Sequence, residues 1–165
     1  MKHLYLIGGT MGVGKTTVCQ ALNKELHNSV FLDGDWCWNA DPFQVNEETK
    51  QLVLDNIIHI LNNFIHCSCY ENIIFCWVMH EQSIIDTILD ALDTQNIKVI
   101  KISLLTDENS LRNRLTQDIQ SGIRTVDVVE RSLSRLPLYQ KLDTIKIDSS
   151  NKTIATILSE IKEIL

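Results

Sequence analysis

Proline and glycine are scarce in this chain: two prolines and six glycines among 165 residues leave no low-complexity linker. Arginine is absent before position 112, and 21 Asp and Glu against 15 Lys and Arg give a formal charge of −6. That balance excludes a generally basic nucleic-acid or membrane-surface protein, while a local basic site stays open. Long hydrophobic runs are missing too. The longest uncharged apolar run, Ile73 to Met79, has the length of a strand and cannot span a bilayer. The apolar stretch in MKHLYLIGG is too short for a secretory leader. Cys19, Cys37, Cys67, Cys69 and Cys76 form no CxxC pair, and Cys67 and Cys69 have no zinc-spaced partners. They read as small buried hydrophobes of a reducing compartment. A cytoplasmic chain without a membrane partner is expected. What is present is a globular composition, 44% hydrophobic and 22% charged, in a chain long enough to bury a core without disulfides or metals. One domain over residues 1–165 is expected, with no internal repeat.

Strand and helix patterns alternate from end to end. His3 to Ile7 reads as a strand, a glycine loop follows, and a helix is predicted from about Lys15 to His27. Val30 to Leu32 is a short apolar run ending in Asp33-Gly34-Asp35. Asn46 can cap a helix running to about Phe64, with Leu54, Ile57, Ile58, Leu61 and Ile65 at helical spacing. Val53, Ile60 and Phe64 widen its apolar face, so this helix is expected to be mostly buried. Ile73 to Val78 reads as a strand covered on both faces, followed by a helix from Gln82 to Leu92 and a strand from Lys98 to Leu105. A helix begins near Asp107, Gly122 interrupts it, and another stretch runs from Val126 towards Leu136 before Pro137 stops it. Ile145 to Ile147 is a last strand. Ile154, Ile157, Leu158, Ile161 and Leu165 mark a terminal helix. This order predicts an α/β fold, a parallel sheet with helices on both faces.

The segment Gly9-Thr10-Met11-Gly12-Val13-Gly14-Lys15-Thr16 fits G-x-x-x-x-G-K-[ST] without a gap. It stands where its mechanics require, after a predicted strand and at the start of a predicted helix. Glycines let the backbone wrap an anion and aim its N–H groups inward, and the positive helix end adds to that field. Lys15 can reach β- and γ-phosphates, and the Thr16 hydroxyl can ligate Mg²⁺. These eight residues, with Thr17 after them, form the expected nucleotide-phosphate site. The GTPase patterns D-x-x-G and N-K-x-D do not occur. A motor or AAA-type ATPase would call for more chain and an acidic residue ending a long apolar strand. Here the Ile73–Val78 strand runs into Met79-His80-Glu81, and the acidic strand end is Asp33.

Two carboxylates separated by one glycine can divide two tasks, one holding Mg²⁺ and the other meeting a hydroxyl proton. At this point the chain resembles the small-molecule P-loop kinases, notably the shikimate and gluconate kinases and their antibiotic-modifying relatives. It is also similar to the tunicamycin-resistance-like small kinases. The resemblance is carried by residues 4 to 36, the P-loop with its helix and the D-x-D of Asp33 and Asp35. It implies a three-layer P-loop NTPase fold, with a five-stranded parallel sheet in the order 2-3-1-4-5 and a small lid at about residues 118–128. It further implies ATP as donor, Mg²⁺ organised by Thr16 and Asp33, and Asp35 contacting or activating the acceptor hydroxyl.

All five arginines, Arg112, Arg114, Arg124, Arg131 and Arg135, fall within one stretch of 24 residues. In an acidic chain this suggests a polyanion site, although exposed helix arginines would give the same pattern. By resemblance, Arg114 looks like the arginine that contacts adenine, and Arg124 like a lid arginine on the transferring phosphate. The chain departs from shikimate kinases in having no early arginine and no Gly-rich turn after the third strand. Instead Trp36, Trp38 and Phe43 follow the D-G-D segment, and Trp77 and His80 lie near the third strand's end. These side chains are either core or lining of the acceptor pocket, in which case the acceptor is a planar or apolar alcohol. The expected activity is phosphoryl transfer from ATP to a hydroxyl of a small molecule. A nucleoside or nucleoside-monophosphate kinase, with Arg131 or Arg135 receiving the acceptor phosphate, is one alternative. A non-transferring ATP-binding sensor or resistance factor is another. No basic track extends past the arginine cluster, so no nucleic-acid partner is expected, and no oligomeric state is legible.

Overall fold

A computed structural model describes residues 1–164; Leu165, assigned above to the terminal helix, lies outside the described residues. The chain forms β1 (Lys2–Gly8), α1 (Lys15–Glu25), β2 (Ser29–Asp33), α2 (Glu47–His66), β3 (Asn72–Trp77) and α3 (Gln82–Asp90). It continues with β4 (Ile97–Leu105), α4 (Glu108–Gln120), α5 (Val128–Arg135), β5 (Ile145–Asp148) and α6 (Ile154–Lys162). Short 3-10 turns cover Gly34–Trp38 and Leu136–Lys141. The five strands are parallel in the order β2-β3-β1-β4-β5. This is the P-loop NTPase fold, as expected.

The alternation of β1 explains the layering. Leu4 and Leu6, with Ile73 and Phe75 of β3, face a core closed by Val53, Ile57 and Leu61 of α2 and Ile85 and Ile88 of α3. Tyr5 and Ile7, with Ile74, Cys76, Ile100 and Ile102, face the opposite core, closed by Val18 and Leu22 of α1 and Ile157, Leu158 and Ile161 of α6. A third, smaller cluster joins Leu111 and Leu115 of α4 to Val128 of α5, with Met11 packed against it. The phosphate loop therefore rests on the two helices that flank the proposed lid.

Some boundaries move. α1 stops at Glu25 rather than His27, β3 at Trp77 rather than Val78, and α5 starts at Val128 rather than Val126. Pro137 lies inside the 3-10 turn after α5. α2 is not mostly buried: one stripe of Val53, Ile57, Leu61 and Ile65 is buried, while Leu52 on the far side is 57% exposed. Its wide apolar set spans more of the helix surface than one sheet face can cover. Asn46 caps it as expected, in a capping box with Thr49. Of the cysteines only Cys19 and Cys76 are buried, and Cys69 is exposed. Among the described residues no helix is long and apolar enough to cross a membrane.

Candidate active site

The site lies at the C-terminal ends of β1, β2 and β3, where the sheet order reverses and a crevice opens. Gly12 and Gly14 have φ of 83° and 103°, a left-handed backbone that L side chains resist. A side chain at Gly12 would also strike Leu115. Gly14 caps α1 without a side-chain bond, so the first N–H groups of the helix stay available to an anion. Lys15 Nζ donates to Thr10 O at 3.1 Å, folded over its own loop. Burial lowers the Lys15 pKa, and the neighbouring Cys76, Asp35 and Asp33 oppose that shift.

β2 delivers the acidic pair. Thr16 Oγ1 donates to Asp33 Oδ2 at 2.6 Å. The other oxygen, Asp33 Oδ1, accepts the Asp35 N–H at 3.0 Å and so shapes the turn. Asp33 is buried, whereas Asp35 projects into the crevice. Crowding by the protein and the Asp33 charge raise the Asp35 pKa; Lys15, the Trp77 indole and Arg124 pull it down. Among the described residues no group of three or more His, Cys, Asp or Glu is arranged to hold a metal. A hydroxyl and one carboxylate fit Mg²⁺, which keeps most of its shell for water and phosphate oxygens.

Beside Asp35 lies a cavity of about 800 Å³. Trp38, Phe43, Leu54, Trp77, Met79 and Ile84 supply apolar walls, and His80, Lys50, Arg124, Arg131 and Arg135 supply polar edges. Of the expected substrate residues, Trp38, Phe43, His80 and Arg131 meet here with Asp35. Trp36 does not: it turns outward, 56% exposed, its ring 5.2 Å from Phe31. The turn at Gly34–Trp38 sends the two tryptophans to different sides. Thr17 is exposed on the first turn of α1. Met79 has a positive φ of 35° where the chain turns out of β3 into His80. Burial and Arg135 lower the His80 pKa, with Glu81 opposing.

The arginines divide. Arg124 pairs with Asp118 at 3.0 Å and lines the cavity. Arg131 pairs with Asp127 at 3.5 Å, and Arg112 with Glu130 at 3.4 Å. Arg114 donates to Val13 O at 2.9 Å and Ser149 O at 3.3 Å, tying the phosphate loop to the end of β5. Ser132, Tyr139, Leu54 and Ile84 were missed at the sequence level. The apolar stripe of α2 did mark Leu54, but periodicity cannot separate core from cavity wall. Tyr139, fully buried, donates its hydroxyl to Val78 O and holds the turn that carries His80.

The strand, glycine loop and helix around Gly9–Thr16, with the Thr16 hydroxyl on Asp33 at the end of β2, are those of a nucleotide-binding P-loop protein. The chain belongs to the AAA domain family, whose model matches residues 6–131. That match runs from the end of β1 through the phosphate loop and the Asp33–Asp35 turn to Arg131, and it corrects, at the level of family, the expectation above that set an AAA-type ATPase aside. The chain is 28% identical over 172 residues to a shikimate kinase of Bacillus anthracis (strain CDC 684), covering 99% of this chain and 98% of that protein. Its fold matches a gluconokinase from Sinorhizobium meliloti 1021 with a TM-score of 0.70 at 17% identity, covering 96% of this chain and 88% of that one. It also matches the Deinococcus radiodurans tunicamycin resistance protein with a TM-score of 0.68 at 19% identity, covering 99% and 95%.

Proposed function

We propose that this protein is an ATP- and Mg²⁺-dependent kinase that phosphorylates a hydroxyl of a small molecule with a planar or apolar body. The observation that carries the reading is the Thr16–Asp33 contact of 2.6 Å, with Asp35 two residues on at the mouth of the apolar cavity. Lys15 and the loop N–H groups hold the phosphates, and Thr16 and Asp33 hold Mg²⁺. The metal supplies charge neutralisation on the phosphate oxygens. Asp35 accepts the acceptor's proton, Arg124 offsets charge on the transferring group, and Trp38, Phe43 and Trp77 exclude water around the acceptor. A small polyhydroxylated carboxylate such as shikimate would leave most of these apolar walls uncovered.

The test is an acceptor panel of nucleosides, sugars, aromatic alcohols, aminoglycosides, nucleoside antibiotics and shikimate, read by ADP release and by mass of the product. Acceptor-dependent ADP matched by a phosphorylated product, best with a planar or apolar alcohol, is the expected result. Preference for shikimate would overturn the substrate class. Acceptor binding without ADP would favour the non-transferring resistance or sensor protein. A second reading, an acceptor that already carries a phosphate, as in a nucleoside monophosphate, has one observation in its favour: Arg131 and Arg135 both face the cavity. Nucleoside monophosphates in the panel separate the two readings.

A further inference from the structure

The segment between α4 and α5 is flanked by two helices that each hold a carbonyl of the phosphate loop. From α4, Arg114 reaches Val13 O. From α5, Ser132 Oγ donates to Met11 O at 2.5 Å. Thr10 completes this second anchor, its Oγ1 lying 2.8 Å from Ser132 O and 2.9 Å from Ser132 Oγ. Thr10 and Ser132 are both 0% exposed. Each hydroxyl has one proton to give. Ser132 gives its proton to Met11 O, so Thr10 gives its own to Ser132, and every donor in the joint is used. Ser132 O also accepts the N–H of Leu136, which ties Thr10 to the last turn of α5. The two Thr10–Ser132 contacts are buried and meet no solvent competitor, while the Ser132–Met11 bond is part-buried beside the cavity.

The peptide unit explains why this matters. Met11 C=O and Gly12 N–H belong to one planar trans group and point in opposite directions. Holding the carbonyl towards α5 fixes the loop N–H away from it. The same helix carries Arg131 and Arg135 to the cavity wall, and Met11 itself lines the cavity. We infer that Ser132 is a positioning residue which, with Thr10, couples the phosphate loop to the acceptor-facing helix α5. Nucleotide occupancy then orders α5, which carries Arg131 and Arg135, and whatever factor this adds to acceptor affinity the acceptor adds to nucleotide affinity. The inference rests on nucleotide binding at the loop, not on the identity of the acceptor.

Hydrogen–deuterium exchange of the whole protein, with and without ATP·Mg²⁺, tests it. In wild type and in Thr10→Ser, which keeps the hydroxyl, nucleotide should slow exchange both in residues 9–25 and in residues 128–135. Thr10→Val keeps the volume and loses the hydroxyl; it should still slow 9–25 but leave 128–135 unchanged, as should Ser132→Ala. Nucleotide affinity should fall about tenfold in either variant and no further in the double variant, since both break one joint. If Ser132→Ala does not fold, the contrast between Thr10→Val and Thr10→Ser carries the comparison. Unprotected 128–135 in wild type, or retained protection in Thr10→Val, would overturn the coupling. Absence of protection at 9–25 in wild type as well would refute the nucleotide site, and the joint with it.

Discussion

Asp33 and Asp35 show how two carboxylates on one turn can be given different work. Both oxygens of Asp33 are engaged, one by Thr16 and one by the Asp35 N–H, so its position is fixed before any metal arrives. Asp35 faces the cavity with its pKa raised. Asp35→Asn keeps nearly the same volume and leaves Lys15, Thr16 and Asp33 in place. Turnover should fall about 10²-fold or more, the scale of a positioned acid–base group, while ATP affinity stays within a few-fold. In wild type the acid limb of kcat/KM, which reports the free enzyme, should lie above the value of an ordinary aspartate, because activity is lost as pH falls through a raised pKa. Stability should respond with the opposite sign. A carboxyl whose folded pKa exceeds its unfolded value binds its proton more tightly when folded, so it costs stability once pH has risen past that pKa. Thermal melts near pH 7 should therefore show Asp35→Asn no less stable than wild type. Arg124→Ala should lower kcat more than it weakens nucleotide binding, since the proposed lid guanidinium acts on transition-state charge. A defect in nucleotide affinity alone would remove it from that role.

At the scale of elements, the 3-10 turn Gly34–Trp38 is packed against the end of β3. A Cβ at Gly34 would lie 2.6 Å from Cδ1 and Cγ of Trp77. Gly34→Ala must displace the indole that forms one cavity wall, and overpacking of this kind costs about 1–3 kcal/mol. Urea unfolding should show that loss. An acceptor KM that rises with kcat nearly kept would show that the wall moved and the acid pair did not. Sequence made the phosphate loop and the D-G-D turn legible, because each depends on local chemistry, whereas the sheet order came with the kinase resemblance, since chain order alone does not fix strand order. It could not separate Trp36 from Trp38, since the direction of a side chain leaving a one-turn helix depends on what the helix packs against. Nor could it find Ser132. A serine on a helix carries no signal of its own, and its significance comes from Thr10, 122 residues away. Arg114 was assigned by resemblance to adenine; its bonds to Val13 O and Ser149 O are a further role that only the packing of α4 against the loop reveals.

Across the whole molecule, an acidic chain turns Lys50, Arg124, Arg131 and Arg135 towards one cavity, with Asp35 the one carboxylate among its described lining residues. Three of these cations are paired with carboxylates outside the lining, Lys50 with Glu47, Arg124 with Asp118 and Arg131 with Asp127, so an incoming anion competes with those partners for them. The two cores on either side of the sheet meet at β1, whose C-terminal end leads into the phosphate loop, so ligand binding there should stabilise the entire fold. A ligand that binds only the native state at 100 times its Kd adds about 2.7 kcal/mol. For a chain of this length each kcal/mol raises Tm by roughly 2–4 °C. ATP·Mg²⁺ at that excess should raise Tm by about 5–10 °C, and ATP without Mg²⁺ by less. Lys15→Ala removes the ammonium folded over the loop. It should fold, because the charge it loses is one that burial disfavours, its pKa being lowered. It should also show little or no nucleotide-dependent rise in Tm at the same concentration. Differential scanning fluorimetry across an ATP·Mg²⁺ titration measures both quantities at once. A wild-type shift retained in full by Lys15→Ala would place the nucleotide somewhere other than the phosphate loop.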